Sequence, residues 1–573
     1  MYKGIGASKG YGIGRAVVYR AAKLDFEKKT GCDPQAEKAR LESAVQTFTE
    51  KNEALYARLH EKAGSAADII MGHIMMMKDP YMLSEMEKKL DTGVSAEQAL
   101  SDVCDMFDMM FSSVDDEMTR QRAADVRDIK NEMLSLLLGR ECLDLSLLPA
   151  DTVLVTEELT PSMTARINRE NVVGFVTETG SKTSHAAILA RAMEIPAVLS
   201  VKNAVSLIRD GELVIVDGLQ GEVITEPSDE TKAEYIRARL DYDRDMASLA
   251  KYRDRPTLTA DGESAGLFAN IGTPDDALKA VEYGGEGVGL FRTEFLFMDR
   301  TAAPDENEQF EAYKKALLIM KGKPVIIRTL DIGGDKEIPY MGLKKEENPF
   351  LGFRAVRYCL NNREMYKTQL RAILRASAYG KASIMIPLVT NIDELRTVKA
   401  LIAEVKSELD TAGEAYDKDI KVGVMIETPS AAVTADLFAR EADFFSIGTN
   451  DLTGYTMAVD RGNADVEYLY SAFNPSVLRL IKRIITEGKK AGIPVGMCGE
   501  GAADPLLIPL LISFGLDEYS VTPTSVTYAR REIARWSKAD ADAVAERVMS
   551  LDSEKQIKAE LEKALDAAKR RAE

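Results

Sequence analysis

Eight short apolar segments recur through the C-terminal half of this 573-residue chain, and stretches with helical periodicity separate most of them. Each segment is four to seven residues long, which suits a buried strand. Eight strand–helix units over roughly 300 residues predict a (β/α)8 barrel, with an open doubly wound sheet as the competing arrangement. The segments are 265–271, 287–291, 324–330, 383–389, 421–427, 444–449, 494–499 and 518–521.

The residues before the barrel fall into two patterns. A glycine-rich N-terminal segment, and the alternating strands and helices from about residue 150, together predict one α/β domain. Between them, apolar residues at helical spacing predict an inserted all-helical subdomain, and a highly charged helix after the α/β region predicts a connector. We expect the α/β domain over 1–22 and 144–228, the helical insertion over 23–143, the linker over 229–258 and the barrel over 259–573.

Composition excludes several classes of function. Lys and Arg number 74 against 92 Asp and Glu, so the net charge of −18 disfavours nucleic acid or an anionic membrane as the main partner. The five cysteines are odd in number and form no C-x-x-C pair, which predicts a reducing, cytoplasmic setting. No apolar leader opens the sequence and no apolar run is long enough for a bilayer, so we expect no membrane insertion.

Polar side chains follow the predicted barrel strands at their carboxyl ends, where barrels carry their chemistry. Guanidinium groups bind phosphate oxygens bidentately, and a carboxylate pair suits Mg²⁺, so the combination predicts a phosphorylated carboxylate substrate with a divalent metal. For any single residue, a structural ion pair at the rim explains the charge equally well. A thiol in this position could exchange a proton with a carbon next to a carbonyl. The residues are Asn270, Arg292, Arg328, Glu427, Asn450, Asp451, Arg461 and Cys498.

His185 is one of three histidines and lies where a Gly-Ser-Lys-Thr-Ser run becomes a predicted helix. Helix N-termini present unpaired N–H groups and favour phosphate, so the imidazole could accept a phosphoryl group there. An N-capping hydroxyl beside an incidental histidine explains the same residues. The local sequence leaves these two interpretations even.

Several motifs resemble those of the phosphoenolpyruvate-utilising enzymes. The segment "TGSKTSHAAILARAMEIPAVLS" is similar to the phosphohistidine segment of that family. The motif order, the length and the helical insertion match the branch that serves the bacterial sugar phosphotransferase system. Barrel motifs of the family appear as "GVGLFRTEFLFMDR", "IRTLDIGGDKEIPY", "NPFLGFRAVR", "GVMIETPSA", "FSIGTNDLTGYTMAVDRGN" and "PVGMCGEGAADP".

The resemblance implies a role for each candidate residue. His185 would be phosphorylated by phosphoenolpyruvate, and Cys498 would protonate the enolate as pyruvate forms. The helical insertion would dock the phosphocarrier protein HPr, and the barrels would form a homodimer. By the same resemblance, Arg292, Arg328 and Arg461 would hold the phosphate, Asn450 and Asp451 would contact the substrate, and Glu427 with Asp451 would hold Mg²⁺.

Three alternatives compete with this interpretation. A pyruvate phosphate dikinase or phosphoenolpyruvate synthase would carry a large ATP-binding domain, for which the residues before the α/β region leave little room. A dehydrogenase is suggested by "GASKGYGIGRA" over 6–16, but only five residues precede it, so we interpret its glycines as serving a tight loop. A phosphorelay protein with a decayed barrel would not need the full set of rim residues.

Overall fold

The computed structural model describes residues 1–20, 24, 26–63, 65–112, 117–139, 145–180, 184–298, 300, 302–333, 338–344, 346–460, 463 and 465–572. The chain divides into two compact units, Met1–Met246 and Ala247–Glu573. Of the helices in these ranges, none combines the length and apolar character that a bilayer crossing requires.

The first unit is built on a mixed sheet of eight strands. Its spatial order is β1-β8-β7-β3-β4-β5-β6-β2, and the central neighbours β3, β4, β5 and β6 run parallel. The strands are β1 Tyr2–Lys3, β2 Ile5–Ser8, β3 Tyr11–Val18, β4 Thr152–Thr156, β5 Val172–Thr177, β6 Ala197–Leu199, β7 Leu213–Asp217 and β8 Glu222–Thr225.

Helices follow these strands and also form the insertion between β3 and β4. The described helices of this region are α1 Pro34–Ala63, α2 Ser65–Met77, α3 Pro80–Leu90, α4 Ala96–Ser112, α5 Glu117–Leu137, α6 Pro161–Arg166, α7 His185–Met193, α8 Ala204–Leu207 and α9 Asp229–Leu249.

The helical insertion interrupts the sheet exactly as expected in kind: strand β3 lies before it and β4 after it. The two strands pair in parallel, with Arg15 opposite Thr152 and Val18 opposite Val155. Helices α1 to α5 enclose an apolar core of their own, which includes Phe48, Met86 and Leu100. The prediction of an α/β domain with an inserted helical subdomain is therefore confirmed.

The predicted connector forms helix α9, which ends at Leu249 and continues as a short 3-10 turn over Ala250–Tyr252. Tyr235 and Tyr242 of α9 both make edge contacts with the ring of Tyr11 on β3. The Tyr235 hydroxyl donates to Asp217 Oδ2 at 3.3 Å. The first turns of α9 are thus held against the sheet of the first unit.

The second unit is a closed barrel of eight parallel strands. The last strand pairs with the first, with Ser520 opposite Phe268, which confirms the predicted (β/α)8 barrel over the open sheet. Each predicted apolar segment overlaps one observed strand. The strands are β9 Gly266–Ile271, β10 Val288–Phe291, β11 Val325–Arg328, β12 Ala382–Ile386, β13 Lys421–Ile426, β14 Phe445–Gly448, β15 Val495–Cys498 and β16 Glu518–Val521.

The surrounding helices bury one large apolar core against the outside of these strands, and a smaller cluster fills the barrel itself. The described helices are α10 Asp276–Glu282, α11 Glu306–Met320, α12 Val356–Asn361, α13 Arg363–Ser377, α14 Ile392–Ala412, α15 Pro429–Val433, α16 Ala435–Phe438, α17 Thr449–Met457, α18 Pro475–Ala491, α19 Ile508–Phe514, α20 Val526–Ala534, α21 Lys538–Met549 and α22 Glu554–Ala572.

The N-terminal glycines serve close strand packing more than a tight loop. Gly10 has a φ of +120° at the turn before β3, but Gly12 and Gly14 lie within that strand. A Cβ on Gly14 would lie 2.0 Å from the carbonyl oxygen of Asp151, and one on Gly12 would lie 2.2 Å from that of Val173. The expectation of a loop role is therefore wrong for these two glycines, because backbone from β4 and β5 approaches too closely for a side chain.

We expect Gly14→Ala to lower the free energy of unfolding by about 1–3 kcal/mol, because backbone must move to admit the methyl group. Gly72 of α2 is the matched control, since a Cβ there meets nothing within 4 Å. Gly72→Ala should instead stabilise the protein by about 0.5–1 kcal/mol. Chemical unfolding followed by circular dichroism measures both, and equal effects of the two substitutions would contradict the packing argument.

Candidate active site

Arg328 is the last residue of β11 and lies in the mouth of the barrel with 7% of its surface exposed. Its Nη2 donates to Glu294 Oε1 at 2.6 Å, and its Nη1 lies 3.1 Å from Asp331 Oδ2. Glu294 follows β10, and Asp331 follows β11 itself. The end of one strand therefore brings a guanidinium between carboxylates from two neighbouring loops.

Arg354 extends this arrangement across the mouth. Its Nη2 donates to Asp331 Oδ1 at 2.8 Å and to Asp451 Oδ2 at 3.4 Å. Cations and anions thus alternate from one loop to the next. We call the series Glu294, Arg328, Asp331, Arg354 and Asp451 the ionic chain.

The two arginines of the ionic chain remain charged and keep unused donors. Burial alone would lower the pKa of Arg328, but the carboxylates of Glu294, Asp331 and Glu427 raise it well above its usual value. Burial and the carboxylates of Asp331 and Asp451 act in the same opposed way on Arg354 and raise its pKa overall. Among the described residues, Nε of each arginine is buried without a hydrogen-bond partner. Each could donate to an anion that enters the mouth.

Glu427 follows β13 and is 2% exposed. Its Oε1 accepts the backbone N–H of Leu388 at 2.7 Å, and Oε2 lies 2.6 Å from the place that a Cβ would take on Gly448. Burial, with repulsion from Asp451 and Asp331, raises the pKa of Glu427 to about 8. The like charges of Glu427 and Asp451 are thus crowded together.

A divalent cation would relieve this crowding. The structure describes no cluster of three or more metal-ligating side chains within its described ranges. Glu427 and Asp451 nevertheless supply two hard carboxylate donors, which suits Mg²⁺ because that ion keeps several waters and substrate oxygens in its coordination sphere. The donor set therefore fits Mg²⁺ held jointly by protein and substrate.

Cys498 ends β15 and faces the inside of the barrel with 3% of its surface exposed. Burial raises the pKa of its thiol to about 11, although a hydrogen bond with Ser446 acts in the opposite direction. Its Sγ lies 3.7 Å from the carbonyl oxygen of Ile447. At neutral pH this residue carries a proton that it can give away.

Arg292 and Asn450 border the same mouth. Arg292 is accessible to solvent but has protein on most sides, and desolvation together with the Arg328 guanidinium lowers its pKa. Asn450 lies in the first turn of α17, and its Oδ1 is 3.6 Å from the place of a Cβ on Gly499, next to Cys498. Arg461 lies outside the described residues.

Asn270 belongs to the closure of the barrel. Its Nδ2 donates to the carbonyl oxygen of Ser520 at 3.0 Å, and Ser520 Oγ donates to Asn270 Oδ1 at 2.6 Å. These bonds join the first strand to the last. Of the rim residues named from the sequence, this one ties strands together.

His185 is the first residue of α7 in the other unit. Ser184 caps this helix, because its Oγ accepts the N–H of Ala187 at 3.4 Å. Residues 181–183 lie outside the described residues, and so does the His185 side chain. The predicted loop-to-helix junction is present, while the geometry of the imidazole stays a prediction.

Three members of the ionic chain were missed by reasoning from the sequence, namely Glu294, Asp331 and Arg354. The signal for Glu294 and Asp331 was their place two or three residues after a rim arginine. Arg354 lies inside the motif "NPFLGFRAVR" but follows no strand, so the strand-end rule did not select it.

Known proteins match this chain over nearly its whole length. The description "PEP-utilising enzyme, PEP-binding domain" matches residues 246–538, "mobile domain" matches 148–221, and "N-terminal" matches 3–122. A phosphoenolpyruvate-protein phosphotransferase of Geobacillus stearothermophilus is 48% identical over 556 residues, which cover 97% of this chain and 96% of that protein. Those of Priestia megaterium and Bacillus subtilis (strain 168) are each 47% identical over 557 residues, with 97% of this chain and 97% and 98% of the relatives covered.

The chain belongs to the phosphoenolpyruvate-protein phosphotransferases. The family resemblance seen in the sequence motifs is therefore confirmed. A solution structure of an Enzyme I is 34% identical, with 42% of this chain and 100% of that chain covered and a TM-score of 0.39. Within this family, the barrel mouth described above lies in the part matched by the PEP-binding domain.

Proposed function

We propose that the chain transfers the phosphoryl group of phosphoenolpyruvate to His185, releasing pyruvate, and then passes it to the phosphocarrier protein HPr. The observation that carries this proposal is the ionic chain, with two buried and unpartnered Nε–H groups beside the Glu427 and Asp451 carboxylates. Fixed donors beside a metal-binding carboxylate pair are the arrangement that phosphoryl transfer requires.

The arginines would hold the phosphate of the substrate. Arg328 is fixed by two carboxylates before any ligand arrives, so it needs no reorganisation when charge moves onto the phosphate oxygens. Arg354 presents its free Nε–H from the next loop. Arg292 and Arg461 would complete the phosphate site, with Asn450 near the carboxylate of the substrate.

Glu427 and Asp451 would hold Mg²⁺ against the substrate. When bound, the ion offsets the negative charge of the phosphate and of the enolate left behind. The protein keeps the two carboxylates in place through the Leu388 N–H and the Arg354 guanidinium.

Cys498 would supply the proton that converts enolpyruvate to pyruvate. The bond between phosphorus and the enol oxygen breaks as a bond to a His185 ring nitrogen forms, and the thiol proton goes to the methylene carbon of the enolate. The high pKa of Cys498 keeps this proton on sulfur until the enolate forms.

Delivery of the phosphoryl group involves both units, because His185 lies in the first and the barrel mouth in the second. We place the turning point of the two units in the predicted linker, 229–258. The helical insertion would dock HPr, and the barrel would form a homodimer in a cytoplasmic enzyme, as the family resemblance implies.

Labelled phosphoenolpyruvate with Mg²⁺ tests the proposal. We expect an acid-labile, alkali-stable phosphoryl group on the wild-type protein and none on His185→Ala, because the acceptor nitrogen is gone. His60→Gln is the matched control and should label normally. Labelling that survives in His185→Ala would overturn the assignment, and labelling from ATP in place of phosphoenolpyruvate would favour a dikinase.

A further inference from the structure

Glu518 is a carboxylic acid inside the barrel that the proposed mechanism does not use. It opens β16, and its Oε1 lies 2.2 Å from the place of a Cβ on Gly289 and 3.3 Å from that of a Cβ on Gly496. Only the absence of side chains at these two glycines leaves room for the carboxyl group. Within the described residues, no hydrogen bond or ion pair to this carboxyl group is found.

The strand register places Glu518 below the thiol of Cys498. Ser446, Gly496 and Glu518 are partners on three adjacent strands, so they lie at one level of the barrel. Cys498 follows Gly496 by two residues and therefore faces the same side one level higher. Because Gly496 has no side chain, the space between Ser446 and Glu518 at this level stays open.

The rest of the interior near Cys498 offers few proton carriers. Its neighbours in the barrel cluster are apolar, namely Leu290, Ile326, Met385, Met425 and Phe444. Ser446 is the hydroxyl that hydrogen-bonds the thiol. Ser520 is less suited to the task, because its hydroxyl proton is donated to Asn270 Oδ1.

Turnover creates a need for such a carrier. Each pyruvate formed leaves Cys498 as a thiolate, 3% exposed and surrounded by apolar side chains. Burial makes this thiolate costly, and a new proton must arrive before the next enolate can be protonated.

We propose that Glu518 returns the proton to Cys498 by way of the Ser446 hydroxyl. This inference rests on the proposed role of Cys498. The Ser446 O–H proton passes to the thiolate, the Glu518 O–H proton passes to Ser446 Oγ, and Glu518 is left as a carboxylate. Solvent then reprotonates Glu518, so that each turnover consumes one proton from water.

Two further properties of Glu518 support this role. Burial, together with the nearby Asp517 carboxylate, raises its pKa to about 8, so the group holds a proton at neutral pH. Unlike Cys498, the residue keeps partial contact with solvent, which gives the proton a way in. It acts through Ser446 and Cys498 and does not touch the substrate.

Rapid-quench measurement of pyruvate formation separates this role from a structural one. Without an acceptor, each subunit forms one pyruvate, and we expect Glu518→Gln to do so within twofold of the wild-type rate. With excess HPr, later turnovers should slow by about 10–100-fold, since a positioned proton donor contributes on that order. Ser446→Ala should show the same pattern, and Glu518→Asp should recover part of the steady-state rate.

The outcomes are distinguishable. Equal slowing of the first and later turnovers in Glu518→Gln would indicate a structural role and overturn the proposal, and so would an unchanged steady-state rate. Cys498→Ala tests the role on which the proposal rests, because it should slow the first turnover itself. If Cys498→Ala forms pyruvate normally, the proposed function of the thiol is wrong, whatever Glu518 does.

Discussion

Arg328→Leu should lower the free energy of unfolding of the barrel by about 3–5 kcal/mol, because it leaves buried carboxylates without their partner. Glu294 and Asp331 are 3% and 5% exposed, so water cannot replace the lost guanidinium. The same substitution should reduce phosphoryl transfer from phosphoenolpyruvate by about 10³–10⁵-fold, the range over which a positioned arginine acts in such reactions. Denaturant unfolding and a pyruvate-release assay measure the two effects.

An exposed arginine on the same barrel provides the control. Arg396 bonds Glu441 and Asp393, but its side chain is 57% exposed. Arg396→Leu should therefore change the free energy of unfolding by no more than about 1 kcal/mol and leave activity unchanged. Arg328→Lys should retain more stability than Arg328→Leu while losing the two-pronged contact. Unfolding of Arg328→Leu at the wild-type denaturant concentration would show that the ionic chain contributes nothing to stability.

Glu427→Gln should weaken Mg²⁺ binding and slow phosphoryl transfer by about 10³-fold, because a metal ion supplies several kcal/mol of charge stabilisation. The amide oxygen can still accept the Leu388 N–H, so the local fold should persist. Calorimetric titration with Mg²⁺ and the pyruvate-release assay test both expectations. Glu404 provides a control, since its exposed carboxylate pairs with Lys367 far from the proposed metal ligands in role.

The same substitution should change how stability depends on pH. The pKa of Glu427 is about 8 in the folded protein against an ordinary 4.5, so the folded state holds this proton more tightly than the unfolded chain. The metal-free wild type should therefore lose stability as pH rises from about 4.5 through 8, and bound Mg²⁺ should reverse the loss. Glu427→Gln has no such proton, so its metal-free form should melt at a higher temperature than the wild type at pH 9. A lower melting temperature for this variant would contradict the crowding argument.

The barrel could be predicted because its strands announce themselves locally. Segments such as 421–427 and 494–499 are short, apolar and bounded by polar residues, and helical stretches between them require parallel pairing. The end of the connector helix could not be obtained this way. Arg530 donates to the backbone carbonyls of Tyr252 and Arg253, and such a long-range contact leaves no periodic signal around residue 250.

The candidate site was predictable only to the extent that strands deliver it. Arg328, Glu427 and Cys498 end strands or follow them directly, so their convergence follows from barrel closure. The partners of Arg328 depend on which loops lean inward, and this is decided by tertiary packing. Asn270 shows the reverse error, because a polar residue near a strand end was used to join β9 to β16.

The pairing of β3 with β4 across the helical insertion has a consequence for synthesis of the chain on the ribosome. Tyr11 of β3 also pairs with Asp217 of β7, so β3 obtains its second neighbour only after some two hundred further residues have been made. At about 5–20 residues per second, that delay lasts roughly 10–40 s. Helices α1 to α5 need no such wait, because their apolar core is made of residues close in sequence. The insertion can therefore complete its fold while the sheet that flanks it is still being translated.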